Sequence, residues 1–247
     1  MAGHSKWANI KHRKARQDAK RGKSWSKLAR AVIMAAKNGG SDPASNLALR
    51  YAIDEAKAAN MPKDTIEKSV KKGSGELGSE NYESILYEGY GAGGVAIMIE
   101  ILTDNRNRTA PEIKRIFEKS AGNLGTSGCV SYIFEPKGQV FVDRSVEEET
   151  LLGIALEAGA DDVTDETDAW QVLCEQGNFI AVRDAIETAG LKIESAGLTQ
   201  IPTTTVPCSG PDARKVLTLV EALEDHDDVQ KVYANFEIPE AEMAALG

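Results

Sequence analysis

The chain reads as an α+β protein: an N-terminal helical domain followed by two α/β domains, the second inserted in the first. Three observations predict this. Apolar residues recur at helical spacing up to about residue 72, and strand-like runs take over beyond a Gly/Ser-rich stretch at 73–81. The pattern over 139–200 is self-contained, whereas the blocks on either side of it are each incomplete. At 247 residues and 42% apolar content the chain has enough material for several folded cores.

Residues 1–24 form a basic arm. The first thirty residues hold ten Lys or Arg against one acid, Asp18, although the whole chain sums to −9. Residues 1–72 carry 17 basic and 6 acidic side chains, net +11; of the totals of 29 and 38, 12 and 32 remain for residues 73–247, net −20. A basic arm on an acidic body points to nucleic acid or another anionic surface. The segment from Ala8 to Arg21 favours helix but is too polar to bury a face, so it is expected to order on a phosphate backbone. Its candidate nucleic-acid contacts are Lys6, Lys11, His12, Arg13, Lys14, Arg16, Lys20, Arg21 and Lys23, with Trp7 among them. Trp7 has two readings, stacking on a base or sugar or packing the arm onto the helical domain; Trp25 reads as core. A mitochondrial transit peptide would need an amphipathic face. Ile10 is the only large aliphatic residue before Leu28, so a mature arm is the better reading.

The helical domain spans 25–72. Trp25, Leu28, Ala29, Val32, Ile33 and Ala36 share one helical face, ended by Gly39 and Gly40. A second helix is expected from Asp42 and Pro43, as N-cap and first residue, with Leu49, Ala52, Ile53 and Ala56 on its stripe. Pro62 opens a third, carrying Ile66 and Val70 and stopped at Gly73.

The split α/β domain covers 82–135 and 202–239. Strands are expected at 82–88 and 95–102 around the turn GYGAGG. A helix follows from the capping-box spacing of Thr109 and Glu112, then a strand CVSYIFE at 129–135. That β-β-α-β block lacks a second helix and a fourth strand, and both are offered after residue 202 by a helix over 212–225 and a strand over 229–238. Between them, 139–200 reads strand, helix, strand, strand, helix, strand, the ferredoxin-like pattern.

Few motifs suggest chemistry. GYGAGG satisfies G-x-G-x-x-G, but VAIMIEIL after it is a strand rather than the helix a dinucleotide requires, so it reads as a glycine hairpin. Arg106 and Arg108 stand between a strand and a helix start, where they grip phosphate or are neutralised by nearby carboxylates while the loop caps the helix. GNLGTSG reads as a helix-to-strand turn. His4, His12 and His226 do not cluster, and Asp227 with Asp228 reads as a solvated terminus. Cys129, Cys174 and Cys208 are far apart, without C-x-x-C, which indicates free thiols rather than a zinc site or disulfide framework. No hydrolase, kinase or metalloprotease motif occurs, no cofactor is implied, and no apolar run is long enough to span a membrane. The protein is therefore expected not to be an enzyme.

The opening MAGHSKWANIKHRKARQDAKRGK, with YEGYGAGGVAIMIE, LTDNRNRT and GNLGTSGCVSYIF, resembles the YebC/PmpR family. The resemblance implies a helical N-terminal domain and two ferredoxin-like domains, one inserted in the other. It also implies a cytoplasmic, non-enzymatic, DNA-binding transcriptional regulator. Relatives of that family, including the mitochondrial translational activator of cytochrome c oxidase, act in translation, and bacterial members have been connected with ribosomes stalled on proline-rich sequences. Both roles place a basic arm on phosphates, of duplex DNA or of ribosomal RNA. A third reading is a protein-interaction scaffold whose arm docks an acidic partner. None of these fixes an oligomeric state.

Overall fold

The computed structural model describes residues 21–78, 81–166 and 169–239. It opens with α1 (Arg21–Gly39), α2 (Leu47–Ala58) and α3 (Lys63–Gly73). Their apolar stripes meet in one core of Val32, Ala36, Leu49, Ala52, Ala56, Met61 and Ile66, with Trp25 packed against it and donating its indole N–H to the Ala59 carbonyl at 3.0 Å. Asp42 does not cap α2. Its carboxylate instead accepts the Ala44 N–H, and the cap is Asn46, whose side chain accepts the Leu49 N–H and donates to the Ala35 and Gly40 carbonyls. One buried amide thus satisfies both helix ends, which a surface aspartate four residues earlier cannot reach.

The described residues divide into two compact units, one running to Ile133 and resuming at Thr204, the other Phe134–Thr203. The first contains the three helices and a sheet of β1 (Glu83–Tyr90), β2 (Ala96–Thr103), β3 (Asn123–Leu124) and β9 (Val229–Ala234), ordered β3-β1-β2-β9 and antiparallel throughout. The turn between β1 and β2 is a hairpin, with Gly93 and Gly94 at positive φ. Helices α4 (Arg106–Lys119) and α7 (Gly210–Glu224) bury Ile113, Phe117, Val216, Leu219 and Leu223 against Ile97, Ile99 and Ile101 of β2. A short parallel pair, β8 (Val206–Pro207) and β10 (Phe236–Glu237), closes the end of the unit.

The second unit is β4 (Phe134–Asp143), α5 (Glu148–Glu157), β5 (Ala160–Asp165), β6 (Ala169–Glu175), α6 (Phe179–Thr188) and β7 (Ile193–Pro202), with antiparallel sheet order β5-β6-β4-β7. The strand expected at 129–135 does not form. Residues Ser131–Ile133 are a single 3-10 turn, the sheet partner of β1 is the shorter β3, and Phe134 begins a ten-residue strand of the other sheet. Gly138 lets that strand pass, because a Cβ there would lie 2.7 Å from the Cys174 sulfur and 2.8 Å from Phe179.

Candidate nucleic-acid interface

Lys6, Trp7, Lys11, His12, Arg13, Lys14, Arg16 and Lys20 lie outside the described residues. Arg21 and Lys23 belong to the first turn of α1, so the arm leads directly into a helix. That helix is fixed at two points further along. The Lys27 ammonium donates to the Glu224 carbonyl at 2.6 Å, at the C-terminus of α7, where a cation also meets the negative end of the helix dipole. The Arg30 guanidinium donates to the Asp227 carbonyl at 2.8 Å and to Asp228 Oδ1 at 3.0 Å, and its planar group lies 5.6 Å from the Tyr82 ring centroid.

Asp228 is the hub of this unit and was read from the sequence as a solvated terminus. It is only 3% exposed. Its Oδ2 accepts Thr109 Oγ1 at 2.7 Å and Arg108 Nη2 at 2.8 Å, while Thr103 Oγ1 lies 3.1 Å away and itself accepts the Asn105 N–H. Burial pushes the Asp228 carboxyl up, but the bonds from Arg108, Thr109 and Thr103 outweigh it and hold the group below the usual aspartate range. Arg108 also meets Asp104 at 2.9 Å, and these two carboxylates raise its pKa further above the ordinary arginine value. The motif LTDNRNRT therefore places Thr103, Arg108 and Thr109 around one carboxylate from the turn that leads into β9. Helix α4 begins three residues before the expected Thr109, because Asn105 caps it by accepting the Arg108 N–H. His226 bridges the same neighbourhood: Nδ1 accepts the Asp228 N–H at 3.2 Å, which leaves Nε2 to donate to Glu112 at 3.0 Å.

The exposed face of α4 completes a groove. Arg108, Glu112, Arg115, Ile116 and Lys119 line one side, residues 225–228 another, and Arg30 enters from α1. Arg106 is exposed at the start of the helix, and Arg115 and Lys119 are exposed along it.

A second buried carboxylate organises GNLGTSG. Glu88, 2% exposed, accepts the backbone N–H groups of Gly128, Val130 and Ser131 at 2.7 to 2.8 Å. Burial raises its pKa, the three N–H donors lower it by more, and the balance lies below the ordinary glutamate value. Gly125 packs so closely on Cys129 that a Cβ would stand 2.5 Å from the sulfur, and Gly128 has φ of +85°. Sequence reasoning missed Glu88 and Asp228 alike. Their partners lie 40 or more residues away, except for local signals that name a turn but not its anchor. Cys129, Cys174 and Cys208 form no disulfide, and burial pushes the Cys174 thiol up to about 11. Among the described residues no group of three or more His, Cys, Asp or Glu is placed to hold a metal ion, and no helix is long and apolar enough to cross a membrane.

The geometry is that of an α+β protein presenting cations from a braced helical scaffold. Residues 5–76 match the family model described as the TACO1/YebC protein N-terminal domain, and residues 82–236 the one described as the TACO1/YebC second and third domain. The chain belongs to the TACO1/YebC family. A probable transcriptional regulatory protein of Dictyoglomus turgidum is 54% identical over 248 residues, and one of Geobacter sulfurreducens 52% over 246; each match covers 100% of both chains. The crystal structure of a conserved hypothetical protein from Aquifex aeolicus matches with a TM-score of 0.82 at 48% identity, over 90% of this chain and 93% of that one.

Proposed function

We propose that the protein is a non-enzymatic, cytoplasmic nucleic-acid-binding regulator of transcription, whose arm lies on the phosphate backbone of DNA. The observation that carries this reading is the arm itself: ten cations and one acid in the first thirty residues of a chain whose remainder from residue 73 is net −20. Phosphate is the partner such a distribution fits, through counterion release. Lys6, Lys11, Arg13, Lys14, Arg16, Lys20, Arg21 and Lys23 supply the charge, His12 an additional donor, and Trp7 a stacking surface. The regulatory description of the relatives supports the same role. We likewise infer that the inserted unit is ferredoxin-like, supported by its β-α-β-β-α-β order with β4 and β6 central. The split unit reaches a sheet of equal size by a β-β-α-β…α-β route.

A second reading, a translation factor on ribosomal RNA, is favoured by the composition of the arm, which is rich in phosphate-binding Lys and Arg but offers only Asn9 and Gln17 as amide side chains for reading adenine. Sedimentation of native protein from a DNase-treated lysate, beside a variant with Lys11, Arg13, Lys14 and Arg16 replaced by Ala, separates the two. Wild type that stays at the top of the gradient and protects a defined duplex supports transcription. Co-migration with ribosomal particles, lost in the variant, supports translation, and unchanged binding of the variant to both rejects the arm as the contact.

A further inference from the structure

Residues 73–247 contain twelve Lys or Arg, and eight of them form an ion pair with a carboxylate. The four without one among the described residues are Arg106, Arg115, Lys119 and Arg214. Three of these four belong to α4, a helix of 14 residues that carries five of the twelve cations. An acidic body neutralises most of its cations and leaves three of the four open ones on one helix, the fourth, Arg214, standing on α7. Arg115 and Lys119 are i,i+4 neighbours, about 5–6 Å apart at Cβ, and share the groove that Arg30 enters. Of the acids in that groove, Glu112 is bonded to His226 and Asp228 to Arg30 and Arg108; Asp225 and Asp227 line it from the turn between α7 and β9. The arm's entry into α1 at Arg21 is nine residues from Arg30, about 13.5 Å along a helix. One strand of a duplex carries a phosphate per about 3.4 Å of axis, so about four phosphates of a single backbone cover the distance from Arg21 to Arg30.

We propose that α4 is a second phosphodiester-binding surface, with Arg115 and Lys119 as its contacts and Arg106 at its end, engaged together with the arm. This rests on the reading that the arm binds nucleic acid. Arg108 has no part in it, because its guanidinium is held by Asp104 and Asp228. The shared chemistry is the phosphate backbone, which duplex DNA and A-form RNA both present.

The test is a salt titration of binding by full-length protein to a 30-base-pair DNA duplex and to an RNA duplex of the same length. It compares wild type, the Lys11/Arg13/Lys14/Arg16→Ala arm variant, Arg115→Gln with Lys119→Gln, and the charge-preserving Arg115→Lys with Lys119→Arg. The α4 Gln variant is expected to bind roughly tenfold or more weakly at 50 mM salt, with the gap narrowing toward 200 mM and the log–log slope reduced by about 2. The charge-preserving variant should match wild type, and the probe showing the larger slope change identifies the source of the phosphates. Gln substitutions that leave affinity and slope unchanged on both probes, while the arm variant loses binding, overturn the second surface alone. Wild type that binds neither probe overturns the arm reading and this surface with it.

Discussion

In the inserted unit every cation is neutralised. Lys137 lies against Asp161 and Glu175, Arg144 against Asp165 and over the Trp170 ring, Arg183 against Asp184, and Lys192 against Asp143. On α4, three of five cations have no carboxylate partner among the described residues. The inserted unit, 134–203, holds 15 acids against its four cations, whereas α4 holds two acids, Glu112 and Glu118, against five cations, so the inserted unit spends its positive charges on itself and α4 leaves part of its own available. Even on α4 the cations are sorted, since Arg108 serves the buried hub while Arg115 and Lys119 face solvent.

The comparison breaks most severely at the hub. Asp228→Ala leaves Arg30 and Arg108 without their shared carboxylate and removes the charged acceptor of the buried Thr103 and Thr109 hydroxyls, and hydrogen bonds to a charged group contribute about 1.5–3 kcal/mol each; thermal unfolding of full-length protein should record the loss. The pH dependence follows from the same group. Asp228 and Glu88 both titrate lower folded than unfolded, so their stabilisation is complete above the unfolded values, about 3.9 and 4.3. It is lost as pH falls through the folded values. Urea unfolding at pH 7 and at successive steps below pH 4 should show falling stability, with a flatter profile for Asp228→Asn combined with Glu88→Gln.

Next in size is the arm. Replacing Lys11, Arg13, Lys14 and Arg16 by Ala should lower the salt slope by about 4 and weaken duplex binding roughly a hundredfold or more at low salt. A smaller effect is expected at Glu88→Gln, where the new amide turns an NH2 toward N–H donors of the 128–131 turn; a cost of about 1–3 kcal/mol should appear in thermal melts with duplex affinity little changed. The smallest is Lys192→Gln in the inserted unit, a surface pair worth at most about 1 kcal/mol, for which the salt slope of binding should be unaltered.

Much of the fold was legible because periodicity is local. The helical stripes around Val32, Leu49 and Ile66 and the β-α-β-β-α-β order of the inserted unit are written at spacings of two to four residues. What was not legible depends on distant partners. CVSYIFE has a strand's composition, but Glu88 takes the Val130 and Ser131 N–H groups that a ladder would need. Asp228 looked solvated beside Asp227 because Thr103, Arg108 and Arg30 reach it across 120 or more residues. The end of α4 held a similar ambiguity. Arg106 and Arg108 were indistinguishable as a pair in sequence, and only the return of β9 beside β2 commits Arg108 to a structural bond while Arg106 stays exposed.

Amine-reactive labelling of the lysines, read by mass spectrometry with and without a saturating duplex, tests the central claim most directly. Phosphate contact by the arm and α4 predicts protection of Lys11, Lys14 and Lys119 on binding, with Lys137 and Lys192 labelled equally in both states. Equal labelling of Lys119 with and without the duplex, or protection spread over Lys137 and Lys192, would contradict it.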